Sequence, residues 1–174
     1  MYHTERIDRM KKISRTHGLV LVAIFAAITT IFTMLVRIPI PNGQGYLNIG
    51  DGILMTASLL FGPIIGFGVG GIGSALADIL SGYAMYAPFT FAVKGIEAFL
   101  AGYLFNKCHN KWIATLIAGI VMAGGYFATD FLLYDLGAAS VGLPMNIGQG
   151  VLGSLMASIL YPILNKMLPQ ITPA

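Results

Sequence analysis

Residues 53–61, Ile-Leu-Met-Thr-Ala-Ser-Leu-Leu-Phe, end on Gly62-Pro63. A membrane-spanning helix takes about 20 apolar residues, so by length alone this run is a buried half-span. Whether it crosses decides the topology. Longer apolar runs cover 18–36, 64–80, 89–105, 112–133 and 146–167. Lys and Arg gather on the cytoplasmic side. If 53–61 crosses, Arg6, Arg9, Lys11, Lys12, Arg15, Lys107, Lys111 and Lys166 all fall inside, eight of the ten basic residues. Only Arg37 then lies in an outer loop and Lys94 within a span. If it does not cross, Lys107 and Lys111 face away from the amino-terminal cluster. The charges therefore predict an all-α membrane protein, a six-transmembrane-helix bundle with both termini cytoplasmic.

Composition agrees. The chain has 174 residues, 56% of them hydrophobic and 10% charged, against about a quarter charged in soluble domains. That excludes a large soluble catalytic domain, and the net charge of +3 is no nucleic-acid signal because most of the basic residues sit in short cytoplasmic segments. The 22 glycines suit closely packed membrane helices. A basic segment before an apolar run also describes a signal peptide, but 18–36 is longer than the usual 7–15-residue apolar region and no cleavage site follows. The expected layout is a basic cytoplasmic segment over 1–17, a transmembrane domain over 18–168 and a cytoplasmic tail over 169–174. Residues 37–50, with two prolines, and 81–88 and 135–145 are expected to be outer loops.

Ionisable groups inside a membrane are costly and tend to be paired and functional. Here they are Asp51, Asp78, Lys94, Glu97 and Asp130. All lie in the outer half of their helices, which describes a polar pocket opening outward. Lys94 and Glu97, three apart, share a helix face and can pair. Locking the bundle is the competing role for that pair, interhelical hydrogen bonding for Asp78 and Asp130, and capping a helix start for Asp51. Tyr46, Asn48, Tyr83, Tyr86, Thr90, Tyr134, Asn146 and Gln149 surround them. Most of the tyrosines are expected to belong to an interfacial aromatic belt. Asn146 and Gln149 share one face at the outer end of the last helix and offer directed hydrogen bonds to a small polar ligand.

Other patterns lead away from catalysis. Gly66, Gly68 and Gly71 match G-x-G-x-x-G inside an apolar span, with no preceding strand to make a dinucleotide site. Gly62, Gly66, Gly70 and Ser74 instead form a small-residue ridge at every fourth position. No phosphate-binding P-loop and no metal-ligand spacing of histidines occurs. Ser74 and Ser81 lack a histidine base at their depth. No catalytic residue, metal or cofactor is expected. Ala23 and Ala27, four apart, offer either internal packing or a flat docking surface for another membrane helix.

The run Tyr46-Leu47-Asn48-Ile49-Gly50-Asp51, then Gly70-Gly71-Ile72-Gly73-Ser74-Ala75-Leu76-Ala77-Asp78 and Ala87-Pro88-Phe89-Thr90-Phe91-Ala92-Val93-Lys94-Gly95, resembles the substrate-binding S components of energy-coupling factor (ECF) vitamin transporters. The branch with hydroxymethylpyrimidine and pyridoxine transporters is the most similar. The resemblance implies a six-helix subunit of a bacterial plasma membrane that binds a vitamin near its outer face. It would work with a transmembrane T component and two ABC-type ATPases on separate chains, toppling in the bilayer during transport. Lids would be 37–50, 81–88 and 135–145, and Ala23 and Ala27 match the Ala-x-x-x-Ala motif that meets the T component.

The expected binding residues are Asn48, Asp51, Asp78, Tyr83, Tyr86, Thr90, Lys94, Glu97, Asp130, Asn146 and Gln149. Four carboxylates against one lysine favour a neutral or weakly cationic ligand over a polyanion. A hydroxymethyl-bearing pyrimidine or pyridine fits; anionic pantothenate and folate, and the larger riboflavin, fit less well. The rival from another class is a proton- or ion-coupled carrier working alone, which would need carboxylates at the midplane with access from both sides.

Overall fold

The structure is a computed structural model that describes residues 14–39 and 46–167. Among the described residues six helices run in order: α1 (Arg15–Leu35), α2 (Gly50–Phe61), α3 (Pro63–Leu80), α4 (Ala87–Cys108), α5 (Lys111–Leu133) and α6 (Leu136–Met167). Two short strands, β1 (Arg37–Pro39) and β2 (Tyr46–Asn48), join α1 to α2. Arg6, Arg9, Lys11, Lys12 and the tail at 169–174 lie outside the described residues.

The packing is inverted relative to a soluble domain. Large apolar side chains point outward: Leu19, Leu35, Ile64 and Leu132 are each more than 70% exposed. Patches of that size on a water-soluble surface would drive association; around a bundle in lipid they are the solvent-facing side. Small residues fill the inside and bring backbones together. A Cβ on Gly150 would meet the Gly119 backbone of α5 at 2.9 Å, and one on Gly73 would meet the Ala26 carbonyl of α1 at 2.7 Å. Gly70 lies against the Lys94 carbonyl, so the ridge Gly62–Gly66–Gly70–Ser74 is a packing surface, with Gly66 on Ser58 of α2. Hydroxyls clip the helices to one another: Thr30 donates to the Gly73 carbonyl (2.8 Å), and Ser58 to the Ala98 carbonyl.

Among the described residues four helices, α1, α3, α5 and α6, are long and apolar enough to cross a membrane. The fourth helix is also long enough but carries Lys94, Glu97 and Lys107. Helix α2 has 12 residues, all buried. At 1.5 Å per residue it rises about 18 Å where α3 rises about 27 Å. The two meet at Gly62-Pro63, where Gly62 takes φ 93°, a conformation that favours glycine. Helix α2 therefore starts short of the level at which α3 ends, and β2 fills the difference: its Tyr46 is the residue that reaches Asp78 near the end of α3.

Three expectations change. Residues 37–50, read as a loop, contain a hairpin with Arg37 opposite Asn48 and Pro39 opposite Tyr46. Its strands are three residues long, below what sequence alternation can signal, and Pro39 is tolerated because the ladder is an edge. Residues 135–145, read as a lid loop, are helical almost throughout, since α6 begins at Leu136. Asp135 accepts from the Ala138 amide (2.8 Å), capping the start, and Pro144 lies inside the helix; bundle neighbours let membrane helices absorb such prolines. Finally, α1 begins at Arg15 rather than 18, capped by the Ser14 hydroxyl on the His17 amide.

Candidate functional site

The deepest layer is a buried ion cluster. Asp51 opens α2, and Lys94 and Glu97 stand one turn apart on α4. Lys94 Nζ donates to Asp51 Oδ1 (2.5 Å) and Glu97 Oε2 (3.1 Å), with all three side chains at most 1% exposed. A buried charge persists only when paired and hydrogen-bonded. One ammonium here faces two carboxylates, and Glu97 Oε1 has no hydrogen-bond partner among the described residues. Asp51 thus serves ion pairing rather than the helix cap it could have formed.

Gln149 of α6 ties this cluster to the hairpin. Its Nε2 donates to Asp51 Oδ2 (2.9 Å), and its Oε1 accepts from the Asn48 amide (2.9 Å). The Asn48 carboxamide oxygen in turn accepts from the Gly50 amide (2.9 Å), anchoring the start of α2.

Above lies a small cavity of about 40 Å³. Its walls come from the hairpin (Tyr46, Asn48), the end of α3 (Asp78), the α3–α4 turn (Tyr83, Tyr86), α4 (Thr90), α5 (Tyr126, Asp130) and α6 (Asn146, Gln149). Two carboxylates face it, each held by a phenol: Tyr46 donates to Asp78 (2.7 Å) and Tyr86 to Asp130 (2.8 Å). Burial, reinforced by these carboxylates, pushes both phenols above their ordinary range, so they remain protonated donors. No Lys or Arg is among the described lining residues. The Tyr46 and Tyr83 rings lie 5.1 Å apart, giving the mouth an aromatic wall. Such a space suits a flat, donor-rich ring, neutral or cationic, with aromatic faces to stack on and carboxylates to read its edge.

Eight of the eleven residues expected from sequence line this cavity: Asn48, Asp78, Tyr83, Tyr86, Thr90, Asp130, Asn146 and Gln149. Asp51, Lys94 and Glu97 do not; they form the layer beneath. Arg37 is exposed on β1, away from the cavity. Two tyrosines belong to the site beyond the expected set. Tyr46, left out of the expected set, holds Asp78. Tyr126 donates to the Thr90 hydroxyl (3.2 Å), and its ring centroid lies 5.4 Å from Lys94 Nζ, so it floors the cavity against the ion cluster. Its position four residues before Asp130 put it on that carboxylate's face, a signal the sequence did carry.

A family model described as the ECF-type riboflavin transporter, S component, matches residues 13–166. The thiamine precursor transporter HmpT of Lactococcus lactis subsp. cremoris is 34% identical over 149 residues, covering 85% of this chain and 87% of that one. A Pyrococcus woesei protein, described only as an uncharacterized protein in a gap 3′ region, is 42% identical over 146 residues, 82% of this chain and 97% of its own. Among solved structures, one described as the S component of a bacterial ECF transporter superposes with a TM-score of 0.74 at 22% identity, over 89% of this chain and 99% of that one. At that identity the likeness is one of fold.

Proposed function

This chain belongs to the ECF-type riboflavin transporter S component family, a premise from which we propose that it captures a small aminopyrimidine or pyridine vitamin precursor, hydroxymethylpyrimidine or pyridoxine, at its outer face. As a family member it is a membrane-embedded substrate-binding subunit of a vitamin transporter, not an enzyme. The observation that carries the ligand class is the pairing of Asp78 with Tyr46 and Asp130 with Tyr86 around a cavity with no Lys or Arg among its described lining residues.

A carboxylate accepts from an exocyclic amine, a hydroxymethyl group or a protonated ring nitrogen, and these are the donors such rings present. An anionic vitamin would meet two carboxylates, and the cation beneath them, Lys94, is already held by Asp51 and Glu97. The relative named for a thiamine precursor supports the same class.

Import would then run through a T component and two ABC-type ATPases, with Ala23 and Ala27 on the docking face. Both are exposed, while Ala26, Thr29, Thr30 and Thr33 of the same helix are buried. Two measurements test the reading. Titration calorimetry of the detergent-solubilised chain against hydroxymethylpyrimidine, pyridoxine, pantothenate, folate and riboflavin should give binding with a small ring compound alone. Uptake into cells should require co-expressed T component and ATPases; uptake by this chain alone would favour the stand-alone carrier.

A further inference from the structure

Beside the polar cavity lies a second, apolar space of about 310 Å³, a groove between the hairpin and α6 that opens to the outside of the bundle, where Ile38 and Leu152 are 56% and 57% exposed. Val36, Ile38, Leu47, Met145 and Leu152 line it. Two residues, Asn48 and Gln149, line both spaces. Gln149 is held at both ends of its amide, by the Asn48 amide (2.9 Å) and by Asp51 (2.9 Å), and is only 3% exposed. A side chain fixed twice is a stiff wall rather than a swinging one, because moving it strands a buried donor and a carboxylate together.

We propose that Gln149 is a specificity-determining partition: it confines the ligand to the polar cavity and closes off the apolar space, so that a ring bearing an apolar arm is refused. The inference rests on the polar cavity being the ligand site. Selectivity here comes from exclusion as much as from attraction, the repulsive element being a satisfied amide that a larger ligand would have to break. Removing the wall joins the two spaces, and the occupant of the apolar one is then the ligand's own substituent, since the spaces adjoin at Asn48 and Gln149.

The experiment uses the full chain in detergent and three compounds: 4-amino-5-hydroxymethyl-2-methylpyrimidine, its benzyl ether at the hydroxymethyl oxygen, and the same ring with a benzyl arm at carbon 2. The wild type binds the first and refuses both extended compounds. Gln149→Ala raises the affinity for at least one extended compound, relative to the parent ring, tenfold or more. Filling the apolar space with Leu152→Trp in that background removes the gain. Gln149→Asn, which keeps the amide but shortens it, gives a smaller gain and serves if the alanine variant fails to fold. A wild type that takes the extended compounds as well as the parent, an unchanged ratio in both Gln149 variants, or a gain that survives Leu152→Trp overturns the partition. A wild type that binds the parent ring at no concentration overturns the reading of the polar cavity itself.

Discussion

Lys111 donates from its ammonium to the backbone carbonyl of Ser158, 2.7 Å away, across the junction between α5 and α6. The carbonyl is available because of Pro162. Residue 162 would normally return an N–H to residue 158, four positions earlier, and proline has none. Ser158 is buried, where an unpaired carbonyl costs about 1–3 kcal/mol. A lysine at the first position of α5 thus completes a helix to which it does not belong.

Lys111→Met should therefore lower the unfolding midpoint in detergent, by the equivalent of about 1–3 kcal/mol. In a Pro162→Ala background residue 162 supplies the missing N–H, and the same change should cost little. A double-mutant cycle reads the coupling directly. Additive effects would show that Lys111 does not serve the Ser158 carbonyl.

The ion cluster makes an asymmetric prediction. Lys94→Met leaves Asp51 and Glu97 buried without a counter-ion, and breaking such a pair costs about 3–5 kcal/mol. Glu97→Gln leaves one carboxylate for one ammonium and should leave the thermal midpoint unchanged or raise it. Equal losses in the two variants would mean that size at these positions, rather than charge balance, holds α2 to α4.

That cluster also marks the limit of what the chain's sequence discloses. Lys94 and Glu97 are three apart, so their pairing follows from helical spacing alone. Asp51 is 43 positions from Lys94 and Gln149 is 98 from Asp51; nothing local joins them, and only the packing of α2 among its neighbours does. The outward gathering of Asp78 and Asp130 was legible because charge is conspicuous in an apolar run. Tyr46 was not, since a tyrosine near an interface has a common bland explanation, and its partner depends on a hairpin of three-residue strands. The early start of α6 was hidden for a related reason: Gly142 and Pro144 are loop signals in water, yet a bundle supplies the neighbours that let a helix run through them.

Asp78 and Asp130 should each contribute to ligand affinity through a charge-assisted hydrogen bond. Such bonds are worth about 1.5–3 kcal/mol, or roughly ten- to a hundredfold in Kd. Asp78→Asn and Asp130→Asn should weaken binding of hydroxymethylpyrimidine by that range in calorimetry while the helical circular-dichroism signal persists. Tyr46→Phe and Tyr86→Phe remove only the phenols that position the carboxylates and should weaken it less. Wild-type affinity in both asparagine variants would place the ligand elsewhere.

The exposed face of α1 separates binding from assembly. Ala23 and Ala27, either side of the middle of α1, point away from the bundle, and the pocket lies past the carboxyl end of that helix, at the hairpin. Small residues let a partner helix approach closely, and a bulky side chain there holds it off. Ala23→Leu with Ala27→Leu should leave the calorimetric Kd for the ring compound unchanged and reduce co-purification with the T component and ATPases. The substitution adds apolar bulk to a surface already facing lipid, so the fold has no reason to suffer. Loss of ligand binding with assembly intact would reverse the assignment and put this face in contact with the site rather than with the partner.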